Sequence, residues 1–269
     1  MSAATAEFVV HRDGRPATVA DLGPLAFAGY AHFTAMQVRG GGLRGLDLHL
    51  ARLRTASLEL FGRTLPDERV RELLRAGIEA GPDDLSLTAT VYSPSGEFTD
   101  ASHGLAVLVR TGPPSDGPDG PLAFGTVEHE RDLPALKHVG EVGKTYHRRR
   151  AVADGFDDAA FVDRRGRLSE ATIWNLAFWD GETVVWPDAP MLVGTTMGVV
   201  RRQLDRMGVP QAVREVTPGS VRDLSGAVVM NSWTPGVEVR RLGDVTLPDA
   251  REFVGLLHEA FRAEPLTAP

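Results

Sequence analysis

Two periods of apolar residues alternate along this chain, and they predict alternating strands and helices. Residues 33–38 read as a strand, broken by Gly40-Gly41-Gly42. Leu46, Leu50, Leu53, Ser57 and Leu60 then recur at helical spacing, which predicts an amphipathic helix to about residue 61. A second helix is expected from Pro66, with Val70, Leu73, Leu74 and Ile78 on one side. Leu85, Leu87, Ala89 and Val91 alternate like a half-buried strand, and 105–110 predicts another. The run from Thr111 to Pro121 is so rich in glycine and proline that it sustains neither helix nor sheet. It divides an N-terminal α/β domain (1–112) from a C-terminal domain (122–269), with 113–121 as the linker. In the second half the pattern predicts helices over 141–154, 196–207 and 249–262. Val199, Val200 and Leu204 lie on the inner face of the middle one. Strands are expected over 159–163, 172–179, 183–186 and 227–230, with a turn at Arg164-Arg165-Gly166-Arg167.

Composition narrows the class. At 269 residues, 42% apolar and 24% charged, the chain has the balance of a globular protein able to bury a sizeable core. A net charge of −7 and a pI near 5.6 argue against a general binder of nucleic acid or anionic membrane, which would present a basic face. The absence of cysteine rules out disulfides, thiolate metal sites and a cysteine nucleophile, and fits a reducing compartment. Residues 1–7 carry no basic segment leading into a long apolar run, so no signal peptide is expected. No stretch approaches the roughly 20 apolar residues of a membrane span. The expected compartment is the cytoplasm. The eight histidines include no H-x-x-x-H pair, and no metal site is suggested.

Some residues carry candidate chemistry. Gly40, Gly42 and Gly45 spell G-x-G-x-x-G, yet the acidic residue that a dinucleotide site needs at the end of a second strand is missing. A glycine-rich turn is the better account. Arg52 reads as a solvated helix charge, or, between the packed Leu50 and Leu53, as an arginine that wants an anion. The chain has two lysines, Lys137 and Lys144. Lys144 sits beside Tyr146, His147 and three arginines, which predicts an exposed basic helix face. Lys137 lies in an apolar bend before a helix, where desolvation favours the free amine that imine chemistry uses. Glu170 reads either as a surface glutamate at a strand end or as a carboxylate held against a pyridine nitrogen. Gly194-Thr195-Thr196 opens a helix, a place suited to a phosphate. An amine, a carboxylate and a hydroxyl-bearing helix start together are what a protein needs to hold pyridoxal phosphate.

These residues resemble the class IV aminotransferases, the fold-type IV group of pyridoxal-phosphate enzymes that includes D-amino-acid and branched-chain aminotransferases and aminodeoxychorismate lyase. His49-Leu50-Ala51-Arg52-Leu53 is similar to the family's H-L-x-R-L, and Leu136-Lys137-His138-Val139 to L-K-H-L-N. Asp157-Asp158-Ala159-Ala160-Phe161-Val162-Asp163 is similar to D-E-A-L-x-L-D, in the register that favours Lys137 over Lys144. Leu168-Ser169-Glu170 with Asn175 resembles V-T-E-x-x-x-x-N, and Leu192-Val193-Gly194-Thr195-Thr196 resembles L-P-G-I-T. The run from Met230 to Val237 resembles the T-N-S-x-x-G-V loop that closes the site.

The resemblance implies an α/β (α+β) fold in two domains, a smaller N-terminal α/β domain and a larger C-terminal one whose sheet forms a pseudo-barrel. It implies an aminotransferase that moves an amino group between a small-molecule amino donor and a 2-oxo acid through an imine of Lys137 with pyridoxal 5'-phosphate. It assigns Lys137 as the catalytic lysine, Glu170 as the partner of the pyridinium nitrogen, and Arg52, Gly194, Thr195 and Thr196 as phosphate ligands. Thr172 is placed near the cofactor, and Thr234 is a further phosphate candidate. A homodimer is implied by resemblance only.

The chain also departs from the family pattern. Gly140 replaces the asparagine of L-K-H-L-N, and Val142 stands where branched-chain enzymes carry tyrosine. Residues 76–109 contain no Arg or Lys, although D-amino-acid enzymes place a carboxylate-trapping arginine there. Thr34 stands where many relatives have glutamate, and Trp174 where small residues are usual. Lyase-type elimination of pyruvate is the alternative chemistry, which Leu136-Lys137-His138 favours and Gly140 disfavours. A non-catalytic binding protein that kept the fold is the second alternative, against which the intact Lys137, Glu170 and Arg52 speak.

Overall fold

The computed structural model describes residues 8–27, 29–99 and 104–269. Residues 1–7, read above for a signal peptide, lie outside them. The chain divides into two compact units: 1–115 with 136–140 and 265–269, and 116–135 with 141–264.

The first unit contains β1 (Val10–Arg12), β2 (Arg15–Pro16), α1 (Val19–Ala26), β3 (Ala31–Val38), α2 (Leu46–Phe61), α3 (Asp67–Glu79), β4 (Leu85–Tyr92) and β5 (Ala106–Gly112). Its strands form an antiparallel sheet in the order β2-β1-β5-β4-β3. The alternating residues Met36 and Val38 of β3 and Leu85, Leu87, Ala89 and Val91 of β4 are buried. They pack with Leu50 and Leu53 of α2 and Val70, Leu73, Leu74 and Ile78 of α3 in one apolar cluster. Here both predicted helices and the strand that precedes the glycines appear where the periods place them. The triple glycine is a tight turn, with Gly40 and Gly41 at φ +54° and +73° and Arg39 paired with Gly42. Its left-handed backbone is what requires glycine there.

The second unit contains β6 (Leu122–Glu128), α4 (Val142–Ala153), β7 (Asp158–Val162), β8 (Leu168–Ala171), β9 (Asn175–Trp179), β10 (Val184–Pro187), α5 (Thr195–Met207), β11 (Gln211–Arg214), β12 (Gly226–Met230), β13 (Val237–Leu242), β14 (Val245–Thr246) and α6 (Arg251–Ala263). Its sheet runs β11-β10-β9-β12-β13-β6-β7-β8, and β8 also pairs with β9. The path from β9 to β8 therefore returns on itself, which gives the pseudo-barrel that the resemblance implied. Phe124, Leu168, Leu176, Phe178, Val229 and Val239 belong to its principal core cluster.

The second unit's sheet differs from the predicted pattern. The single strand predicted over 172–179 is a hairpin in which Ala171 and Trp174 exchange backbone bonds, so Thr172 and Ile173 form its tip. In β6, Gly125 interrupts the apolar alternation. In β13 a register shift between Val239 and Arg241 breaks the period of two. Among the described residues, no helix is long and apolar enough to cross a membrane.

Candidate functional site

In the first unit, residues 137–139 pair antiparallel with the start of β3, the edge strand. Phe33 N donates to Lys137 O at 2.9 Å and Val139 N to Ala31 O at 3.0 Å, while His32 and His138 form the bridge. Leu136 is buried beside this strap. The half-buried Lys137 directs its Nζ over the Phe33 ring, 4.9 Å from the centroid. Arg52 lies half-buried on α2, three positions after His49. Its positive charge adds to burial in holding His49 neutral, down to a pKa of about 3.

The second unit holds the other candidates. Glu170 is not a surface residue. It is 6% exposed in β8 and is the cross-strand partner of Asn175. Its carboxylate accepts from the backbone N–H of Leu192 at 3.2 Å, and the Asn175 amide donates to the Leu192 carbonyl at 2.6 Å. The β8–β9 hairpin thus grips both sides of the residue that leads into α5. Gly194 caps α5 with no side-chain bond to the helix amides, and buried Thr195 and Thr196 form its first turn. Such a helix start presents backbone donors and a positive dipole end to an anion. Met230, the last residue of β12, pairs with Asn175, so the loop that carries buried Thr234 leaves the barrel beside the same hairpin. Within that loop Asn231 N donates to Thr234 O. Thr172 is engaged elsewhere: its hydroxyl donates to Asp158 at 2.5 Å, which also accepts from Trp174 Nε1 and from Ala159 N. Burial raises the Asp158 pKa, against those three donors and Arg148.

No pattern in the chain marks Arg131, the cationic partner of Glu170. This guanidinium lies 3.3 and 3.4 Å from the two Glu170 oxygens and donates to Glu141 at 2.7 Å. Burial pushes the Glu170 pKa up, and Arg131 and the Leu192 N–H oppose it. The other lysine also departs from expectation. Lys144 is half-buried, and desolvation lowers its pKa while Glu141 and Glu170 act to raise it.

The family model for amino-transferase class IV matches residues 31–242, and the chain belongs to that family. None of the curated proteins matches the sequence significantly. Among solved structures, 4-amino-4-deoxychorismate lyase from Pseudomonas aeruginosa superimposes with a TM-score of 0.76 at 23% identity, covering 95% of this chain and 98% of that one. The branched-chain aminotransferase from Escherichia coli gives 0.81 at 15% identity, covering 96% and 94%. A hypothetical aminotransferase from Mycobacterium tuberculosis, solved in a PLP-bound form, gives 0.78 at 20%, covering 96% and 99%. At these identities the likeness establishes the fold-type IV architecture.

Proposed function

We propose that this chain is a pyridoxal-phosphate-dependent aminotransferase in which Lys137 is the covalent anchor. The observation that carries the reading is the join in the second unit between a buried carboxylate, Glu170, and the uncapped start of α5. The Leu192 backbone links the two. A buried carboxylate suits a protonated ring nitrogen, and an uncapped helix start with two hydroxyls suits a phosphate. The donor set therefore fits the group.

When bound, pyridoxal phosphate supplies an electron sink for the carbanion left on the substrate α-carbon. The roles of the residues follow. Thr195, Thr196, the amide of Gly194 and Arg52 hold the phosphate, with Thr234 as a further ligand. Glu170 would keep the proton on the ring nitrogen, because an ionised carboxylate out of water is stabilised by a cation beside it. Lys137 Nζ would hold the group and, when free, would take the proton from the substrate α-carbon as general base. The amino donor and the 2-oxo acid are small molecules, and the working unit is a homodimer.

The test is the absorption spectrum of the protein mixed with pyridoxal phosphate, compared with Lys137→Ala. A visible band is expected that is absent in the variant and bleaches on addition of an amino donor. Turnover in the variant should fall by roughly 10²–10⁴-fold. A spectrum identical in both proteins overturns the role of Lys137. Pyruvate release without an amino acceptor moves the assignment to lyase chemistry, and no band in either protein moves it to a binding protein.

A further inference from the structure

Arg131 serves two carboxylates. Its Nε bond to Glu141 is short, 2.7 Å, whereas its Nη1 contact with Glu170 is longer and split between both oxygens at 3.3 and 3.4 Å. All three side chains are 7–8% exposed. Glu141 immediately precedes α4, and Lys144 lies three positions later, within one helical turn of it. Lys144 is half-buried and within electrostatic reach of Glu141, Arg131 and Glu170. Two carboxylates thus share one guanidinium away from solvent, with a second cation one helical turn along α4.

The geometry shows which carboxylate wins the guanidinium. A carboxylate that holds an arginine through two short parallel bonds is a weak base. Glu170 does not have Arg131 on those terms, because the better bond goes to Glu141. The negative charge of Glu141 also acts on Glu170 to raise its proton affinity, in the same direction as burial.

We propose that Glu141 and Lys144, at the start of α4, are positioning residues for Glu170: Glu141 draws the shared Arg131 away from it, Lys144 supplies compensating positive charge, and α4 thereby sets how strongly Glu170 retains the proton of a ring nitrogen. This rests on the reading that Glu170 meets that nitrogen. The arrangement solves a conflict of demands. Glu170 must stay charged in a dry place, which needs cations near it. It must also stay basic, which a full bidentate arginine would prevent.

The test is a titration of Glu170 in the full chain by carboxyl-¹³C NMR, with its resonance assigned through Glu170→Gln. In Glu141→Gln the midpoint should fall by about one unit, since a like charge is removed and Arg131 is released to Glu170. In Lys144→Met it should rise by at least about half a unit, and Lys144→Arg should restore it. If Glu141→Gln does not fold, Lys144→Met and its arginine rescue decide the matter. Midpoints within about 0.2 unit of the parent protein in the folded variants overturn the proposal, as does a shift of the same sign in both. Adding pyridoxal phosphate to the same proteins separates this from the function. A visible band in the parent with immobile midpoints sinks the coupling alone. Midpoints that move as expected with no band uphold the coupling and sink the function.

Discussion

Gly194 must be glycine because of what Asn175 does. An added Cβ would overlap Asn175 Oδ1, whose amide nitrogen is bonded to the Leu192 carbonyl. The Gly194 backbone, at φ −64° and ψ 147°, is open to any residue, so the constraint is steric. Gly194→Ala should cost about 1–3 kcal/mol, as overpacking does. Asn175→Ala should cost a similar amount by leaving a buried carbonyl without its donor. In the Asn175→Ala background the alanine at 194 should cost under about 0.5 kcal/mol, because its clash is gone. Urea unfolding of the four proteins measures this cycle, and equal costs in both backgrounds would refute the steric account. The sequence showed Gly194-Thr195-Thr196 as a helix start and left Glu170 open between surface and site. The burial of Glu170 rests on contact between positions far apart in the chain, Arg131 with Glu170 and Asn175 with Leu192, for which a single sequence has no periodic signal. Lys144 was misread for the same reason: its neighbours in sequence are arginines, but its neighbours in space include two carboxylates.

Between β3 and α2 a polar layer crosses an apolar core. His32 Nε2 meets Ser57 Oγ at 2.9 Å, and Thr34 Oγ1 meets His49 Nδ1 at 2.6 Å. His32 and Thr34 occupy inward positions of the same strand alternation as Met36 and Val38, and all four are buried. Burial lowers the pKa of His32 to about 4 and that of His49 to about 3. In the unfolded chain both regain an ordinary value near 6.5. As pH falls the unfolded state takes up these protons first, so the stability that the neutral rings provide is full above about pH 6.5 and is lost as pH drops toward 4 and 3. Each unit of difference is worth about 1.4 kcal/mol, so a loss of a few kcal/mol is expected between pH 7 and 4.5. The double variant His32→Gln, His49→Gln should lose less over that interval. Urea midpoints of both proteins across the range check this, and parallel pH slopes would remove the histidines from the account. The elements themselves were legible here, since strand and helix periods survive a polar substitution. They failed in β6 and β13, where a glycine and a bulge interrupt the alternation that marks a strand.

Across the whole chain, local pattern and tertiary assignment part at residues 136–140. The flanking segments belong to one compact unit and these five residues to the other. No composition shift marks the excursion, because backbone bonds to the edge of β3 hold it and backbone pairing over so few residues has no side-chain period. Lys137 is carried by this strap, so its placement depends on main-chain bonds that a substitution can remove one at a time. Val139 is 39% exposed, but its N–H donates to the carbonyl of Ala31, which is 1% exposed. Val139→Pro deletes that donor and strands a buried acceptor, at a cost of about 1–3 kcal/mol. Val139→Thr keeps the N–H and should stay within about 0.5 kcal/mol of the parent protein. The neighbouring bond reports the local event directly. The Phe33 amide, which donates to Lys137 O, should exchange its hydrogen at least about tenfold faster in the proline variant, as expected when a strap opens without global unfolding. If the Phe33 amide keeps its protection while stability falls, the strap is not what holds Lys137 to β3, and the side chains of Leu136 and Phe33 must do so instead.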